Sequence, residues 1–484
     1  MPLLLARHML DTGAWLPADW YYGNGDIWIL GPQLFVLPFV AAWGVVPRAL
    51  ACGNALGLAL LFASAVLLGR AAGARWPTAL IAATLPVALY SHFQREFVVV
   101  QLSYGLMAAK LMLTLAAAIA WSRAKDEDRG ARMALIAYAL LLGVWTVENP
   151  GRPIVYLVLP LAAAIWLLRK SGDRRAVILG ATTLLTIGAG WLVRQWLSAR
   201  LQVVPGLGEF RLTRPDAWMQ HARWLAAGLR HLYGGDPLGV PVSPWVSGFL
   251  AALRALALPA AVIGFFRASA ARRDSMRPLA IGVLGLVLVA AILVAGNIMV
   301  DTVGDRYLMP PWLLCIAGIA LGAPALPQWR WIAVLLVVAF PLGGALNAIG
   351  IEHGGSAADA AGLPRPPPVD GAIAALRETG LTRGFATHRH AGVATVRSAG
   401  ELELCDVRLQ PELAPARWLD AATCFDPTRY ADGFFVLLAP DERDAAQANA
   451  ISAAIGTPSD VREADGYAIW SYRSGSASLG WLAR

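Results

Sequence analysis

The sequence predicts an all-α polytopic membrane bundle of about ten transmembrane helices, with a small C-terminal α/β domain on the extracytoplasmic side. Three observations carry this. Of the 484 residues, 57% are hydrophobic and only 15% charged, against roughly 25% charged in soluble domains. Apolar runs long enough to cross a bilayer recur between residues 49 and 349. After a Pro-rich segment the pattern changes to short strand-like alternation. The net charge of +8 is uneven: from Gly350 onward 12 Arg stand against 17 Asp and Glu, a balance of −5, which leaves +13 for the apolar part. Loop charges orient a membrane protein, so this excess argues against nucleic-acid binding.

Residues 1–45 are neither a span nor a soluble domain. Arg7 to Trp43 carries Asp11, Asp19 and Asp26 among Gly and Pro, and is rich in Trp, Tyr, Leu and Phe. It reads as an outer loop: a short helix, a polar aromatic turn holding Tyr22, and an amphipathic helix from Gly31 to Trp43 at a membrane surface. No secretory signal is visible, because Met1 to Leu5 is too short for its apolar core.

Residues 46–349 hold the bundle. Spans fall at 49–69, 77–91, 102–122, 133–147, 153–168, 176–193, 246–266, 278–298, 307–323 and 331–349. Basic residues gather in alternate loops: Arg70 and Arg75; Arg123, Lys125, Arg129 and Arg132; Arg169, Lys170, Arg174 and Arg175; Arg267, Arg272, Arg273 and Arg277. Those loops face the cytoplasm. Residues 1–45, the 194–245 loop and the tail then lie outside. An outside N-terminus asks for a short translocated tail or for one more helix ahead of Met1, and the second is the expectation. Within 194–245, Pro215 and Asp216 open a helix that places Trp218, Leu225, Leu229 and Leu232 on one face.

Residues 350–371 read as a Pro-rich linker, and 372–484 as the α/β domain. A helix at Ala372–Glu378 precedes strand-like runs at 383–388, 402–409, 433–439 and 467–472, with a helix near 442–454. Cys52 and Cys315 lie in apolar runs. Cys405 and Cys424 are able to pair if the tail is outside the cytoplasm, though spacing alone does not decide it.

Charges inside spans come first as functional candidates, because hydrocarbon penalises each by about 2.5–3.5 kcal/mol. Lys110 lies near the middle of its span and Arg254 in the outer half of another. Such cations suit an anionic lipid headgroup; a structural ion pair for Lys110 and snorkelling for Arg254 are the plainer readings. The outer loops add Arg95 and Glu96, Glu148 and Arg152, and Asp301, Asp305, Arg306 and Tyr307. Carboxylates with arginines at a membrane-embedded cleft fit general-base chemistry, or a divalent metal, at a phosphate leaving group. Solvated loop polarity explains any one of them as well. His388 and His390 would share a strand face as a metal pair, but no Cys or acid stands at ligand spacing. No Ser-His-Asp pattern and no phosphate-cradling Gly loop is present.

The stretch RHMLDTGAWLPADWYYGNGDIWILGPQL resembles the first outer loop of GT-C class glycosyltransferases that use polyprenyl-phosphate sugars, such as aminoarabinose transferases and protein mannosyltransferases. Arg7, Met9-Leu10, Gly13-Ala14-Trp15, Pro17 and Pro32 match its order. Asp305-Arg306-Tyr307-Leu308-Met309-Pro310 resembles the Arg-Tyr-Leu-x-Pro signature of a late span. The resemblance implies sugar transfer at the outer face of a bacterial inner membrane. A carboxylate would act as base on a lipid, glycan or protein acceptor, and cations or a metal would steady the leaving phosphate. Asp26, Glu96 and Glu148 are the candidate acids. Lys110, Arg95, Arg152, Arg254, Asp305, Arg306, Tyr307 and Tyr22 are the candidates for substrate. The family's catalytic acid precedes the position of Arg7, so it is not carried over, and a missing first helix is the expectation. A non-catalytic membrane protein of the same fold is the alternative reading; a transporter is a third, without the repeated halves transporters show.

Overall fold

The computed structural model describes residues 1–124, 129–168, 174–205, 211–233, 244–267, 276–299, 302–322, 338–345, 368–409, 412–443, 445–473 and 477–483. The helices are α1 (Pro2–Thr12), α2 (Gln33–Trp43), α3 (Pro47–Ala71), α4 (Trp76–Thr84), α5 (Ser103–Arg123), α6 (Arg129–Glu148), α7 (Leu159–Leu168), α8 (Arg174–Ser198), α9 (Pro215–Leu232), α10 (Pro244–Arg267), α11 (Arg277–Ala295), α12 (Met309–Gly322), α13 (Asp370–Thr379), α14 (His388–Arg397) and α15 (Ala445–Ile455). The strands are β1 (Tyr21–Tyr22), β2 (Gln202–Val203), β3 (Arg383–Ala386), β4 (Glu403–Arg408), β5 (Ala414–Pro415), β6 (Gly433–Leu438), β7 (Asp460–Ala464) and β8 (Tyr467–Arg473). The chain is a polytopic helical membrane protein with a small C-terminal α/β part. It folds as two units: Ala55–Gln195 with Glu209–Pro364, and Met1–Asn54 with Trp196–Gly208 and Arg365–Arg484.

Among the described residues six helices are long and apolar enough to cross a bilayer: α3, α5, α6, α8, α11 and the Gly248–Phe266 part of α10. Each coincides with an expected span. Three other expected spans are broken or shortened, and proline explains two of them. The run at 77–91 ends as a helix at Thr84, ahead of Pro86, which has no amide to continue the ladder. The buried Gln94 takes over there, donating to the Pro86 carbonyl (2.7 Å) and accepting from the Tyr90 amide (3.0 Å). A π-turn at Arg95–Val100 leads into α5. In the run at 153–168, Pro160 removes the amide that the Tyr156 carbonyl would use, and the chain widens into a π-turn at Ile154–Val158 before α7. The run at 307–323 opens as a 3-10 segment, Thr302–Leu308, before α12. Of 331–349 only 338–345 is described, and it is helical.

Within the helical unit α12 is buried along its whole length, and Leu111, Met112 and Leu115 of α5 are fully enclosed. By contrast Leu184 and Leu185 of α8 are about three-quarters exposed, as a lipid-facing surface requires. The α11–α12 contact depends on two glycines. A Cβ on Gly318 would stand 2.7 Å from the Leu279 amide, and one on Gly282 would stand 2.8 Å from the Cys315 sulfur.

The other unit is built on a six-stranded sheet in the order β5-β4-β3-β6-β8-β7. The β4-β3-β6 core is parallel, and β8 pairs antiparallel with both β6 and β7. Period-two alternation in β6 sends Phe434, Val436 and Leu438 to one face and Phe435 and Leu437 to the other. The first face is covered by α15 and Trp481, the second by α13 and α14. Residues 19–22 join this unit by backbone hydrogen bonds: the Tyr21 amide to Asp420 (2.8 Å), the Leu419 amide to Tyr21 (2.8 Å) and the Ala422 amide to Asp19 (2.6 Å). β1 also pairs in parallel with β2. Cys405 of β4 and Cys424 are joined in a buried disulfide.

Two expectations about the tail change. The strand expected to run to His388 stops at Ala386, and Thr387 opens α14, whose turn buries His390, Ala391 and Ala394. β7 and α14 were not expected at all. Their polar and mixed composition lacks the apolar alternation by which the other strands are recognised.

The disulfide closes a loop of 19 residues' separation, for which chain entropy predicts about 3 kcal/mol of stabilisation. Cys405→Ala/Cys424→Ala, or reduction, should therefore lower the unfolding temperature of the sheet unit, read by tryptophan fluorescence in nanodiscs. A second expectation concerns Asp420, which accepts from the Asp406 and Ala421 amides (3.0 and 2.9 Å). Burial, with the charge of Asp406 adding to it, pushes its carboxyl from 3.8 up to about 8. The folded state then holds a proton that the unfolded chain releases, so this contribution to stability falls as pH rises from about 4 to about 8. Asp420→Asn should flatten that fall in unfolding curves taken across the range.

Candidate functional site

In the helical unit the polar side chains converge at the start of α5. Arg306, in the 3-10 segment before α12, donates from Nε to the Tyr104 hydroxyl (3.1 Å), and its guanidinium lies over the Tyr307 ring at 5.2 Å. Tyr104 and Tyr307 meet edge to face at 6.0 Å. The Tyr156 hydroxyl donates to the Tyr307 carbonyl (3.0 Å), so the π-turn before α7 fixes the backbone of the Arg306 segment. Arg152 enters from the same π-turn region, with Nη1 3.4 Å from the Met107 sulfur, and its charge also reaches Tyr104. Two guanidinium groups and three tyrosines therefore share one end of the bundle. Among the described residues no carboxylate pairs with Arg306.

Lys110 is differently engaged. Its Nζ forms an ion pair with the Glu148 carboxylate at the end of α6. Arg194 of α8 holds the same helix end, donating to the Val147 and Glu148 carbonyls (3.0 and 2.6 Å). An ammonium seven residues into an apolar helix is stable only with such a partner, and the partner is one of the candidate acids. Arg95 and Glu96 sit half-buried in the π-turn before α5, where Glu96 accepts from the Gln101 amide group (3.3 Å). Asp305 is fully buried against Gly228 of α9.

Arg254 does not snorkel. It is 1% exposed, donates to the Tyr233 and Ala339 carbonyls (3.1 and 2.7 Å) and lies against the rings of Tyr90 and Phe340. Asp26 and Tyr22 belong to the sheet unit and are buried there. Burial, with the Asp19 charge adding to it, pushes the Tyr22 hydroxyl well above its ordinary value. Asp301 lies outside the described residues. Sequence reasoning missed Tyr104, Tyr156 and Met107; a tyrosine inside an otherwise apolar run was the available signal for the first two.

The two histidines weighed as a metal pair do not come together. His388 bonds Asp406, whereas His390 faces Glu442 at 4.0 Å and the Tyr467 hydroxyl at 3.2 Å. On a helix, residues two apart point away from each other. Among the described residues the one set of metal-type donors at ligand distance is Cys405, Asp420 and Cys424, and its two sulfurs are bonded to each other.

No family model matches the sequence, and no curated protein matches it either. The fold matches that of ArnT from Cupriavidus metallidurans. Against ArnT bound to undecaprenyl phosphate the TM-score is 0.55 at 13% identity, over 99% of this chain and 94% of that one. Against apo ArnT it is 0.54 at 12% identity, over 99% and 93%. The chain thus shares the fold of ArnT.

The Lys110–Glu148 pair yields a test by double substitution. Lys110→Met takes a counter-charge from the buried Glu148 carboxylate and should cost about 3 kcal/mol. Lys110→Met/Glu148→Gln should recover most of that loss in thermal unfolding of the nanodisc-embedded protein. Equal losses in both variants would mean the pair is not coupled.

Proposed function

We propose that the protein is an integral membrane glycosyltransferase. It moves a sugar from a polyprenyl-phosphate donor to a lipid, glycan or protein acceptor on the extracytoplasmic side of a bacterial inner membrane, where the C-terminal α/β part also lies. The observation that carries this reading is the Arg152–Arg306–tyrosine cluster, in a fold shared with an ArnT that binds undecaprenyl phosphate. The acceptor oxygen bonds to the anomeric carbon, the bond from that carbon to the phosphate oxygen breaks, and the lipid phosphate leaves with the electron pair. Arg306 and Arg152 meet that growing negative charge with charge-assisted hydrogen bonds. Tyr104 holds Arg306 in register by its hydroxyl, and Tyr307 carries the guanidinium on its ring. A carboxylate takes the acceptor proton. Glu148 is already held by Lys110, which makes Glu96 the better placed of the two candidates in this unit. Lys110 then acts on the phosphate only through the electrostatics of its pair.

A hydrogen bond to a charged group contributes about 1.5–3 kcal/mol, so Arg306→Ala and Arg152→Ala should each weaken undecaprenyl-phosphate binding roughly tenfold or more. Native mass spectrometry of the nanodisc-embedded protein titrated with undecaprenyl phosphate reads this directly. A wild-type protein that does not bind the lipid, or variants that bind it unchanged, would remove the reading.

A further inference from the structure

The sheet unit contains a second polar constellation that the transfer chemistry above leaves unused. His388 opens α14 and bonds through Nδ1 to the carboxylate of Asp406, which is 1% exposed within β4. Because that carboxylate accepts, the ring proton sits on Nδ1, and Nε2 keeps a lone pair for another donor. The imidazole itself is 38% exposed. A purely structural His–Asp pair satisfies the buried acid by burying the ring as well; here the ring keeps an exposed surface. Trp418 lies beside the ring at 4.5 Å and is only half-buried. Its indole edge is held under Gly23, where a Cβ would stand 2.1 Å from Nε1, so residue 23 must be glycine for the two loops to meet. Both loops carry strained backbone: Leu419, next to Trp418, has φ 57°, and Asn24, next to Gly23, has φ 61°. A leucine in the left-handed region costs about 1 kcal/mol or more, and such residues collect at binding sites. The titratable side chains against Asp406 are His388 and Asp420.

We propose that His388, oriented by Asp406, and Trp418 form a saccharide-binding subsite, with the aromatic pair as a wall for the C–H face of a sugar ring and Nε2 accepting from a ring hydroxyl. This rests on the glycosyltransferase reading and narrows it: the acceptor carries a sugar where it meets the sheet unit. An aromatic wall beside an acceptor nitrogen suits a hydroxyl-bearing ring. A phosphate offers this pair only acceptor oxygens, with Asp406 behind it.

The test uses the full-length protein in nanodiscs and carbethoxylation of histidine by diethyl pyrocarbonate, mapped by peptide mass spectrometry. His388 should label, and maltotriose or chitotriose should slow its labelling several-fold. His8, whose Nε2 is engaged by Asp19 at 2.8 Å, is the internal control and should show no saccharide dependence. Trp418→Leu should leave His388 labelling in place and abolish the protection. Asp406→Asn should slow labelling without saccharide, because an amide N–H donated to Nδ1 moves the ring proton to Nε2. Labelling that neither trisaccharide slows overturns the proposal, as does protection that survives Trp418→Leu. If Trp418→Leu disturbs the fold, seen as altered His8 labelling, the Asp406→Asn result decides: unchanged labelling overturns the role of Nε2. Undecaprenyl-phosphate binding on the same samples separates the two readings. Its absence in wild type strikes the transferase assignment, whereas its retention with no saccharide protection strikes only the subsite.

Discussion

A charge in hydrocarbon must be met by the protein, and the helical unit answers this condition in three different ways. Lys110 is neutralised by Glu148. Arg254 is solvated by backbone carbonyls and aromatic faces, in the way water would otherwise serve it. Arg306 is held by a phenol and a ring but not neutralised. Arg254 and Arg306 both lack a carboxylate partner among the described residues, but Arg254 is enclosed with its donors on backbone carbonyls, whereas Arg306 is half-buried and bonds a phenol. That difference, rather than the presence of arginine, is why the proposed anion-binding role falls to Arg306 and not to Arg254. It also sets the cost: an uncompensated guanidinium is tolerable where a ligand's negative charge completes it.

The two prolines that break the expected spans have a consequence for this cluster. By removing the amide opposite Tyr156, Pro160 opens the π-turn from which Tyr156 reaches the Tyr307 carbonyl. Pro86 ends α4 early, and the turn that follows, organised by Gln94, puts the Tyr90 hydroxyl within reach of Leu232 and Trp312. Irregular backbone at membrane depth persists only where protein satisfies its polar groups. The buried Gln94 and Tyr156 supply those bonds, and the same departures from the helix position the site residues.

Much of the architecture was legible in the sequence, for a definite reason. Six spans announced themselves by their apolar length, and α9 by Pro215 and Asp216 at its start. The sheet was legible where burial on both faces enforces apolar runs, as in β6, and illegible in β7, whose residues are largely solvent-facing. His388 and His390 were misplaced because alternation over four residues does not separate a strand from a helix start, and the chain turns helical at His388. Of the site, Arg152, Arg306 and Tyr307 were legible as polar residues at span ends. That Lys110 and Glu148 neutralise each other was not, since 38 residues separate them and only the antiparallel packing of α5 and α6 brings them together. The grouping of residues 1–54 and 196–208 with the C-terminal sheet was equally hidden, because it rests on backbone hydrogen bonds and long-range packing that no local pattern encodes.

A likeness over nearly the whole of two chains at 13% identity shows what this fold does and does not require. Span length, the spacing of small residues at helix crossings and a partner for each enclosed charge are conditions many sequences meet, because each is a property of a residue class. A disposition of Tyr104, Arg152 and Arg306, or of His388 against Asp406 and Trp418, depends on particular atoms. Substitutions that preserve class leave the bundle standing while they rewrite the polar ends of its helices and the loops of the sheet unit. The chemistry of this protein is therefore to be sought in those few atoms, and the shared fold accounts only for how they are held.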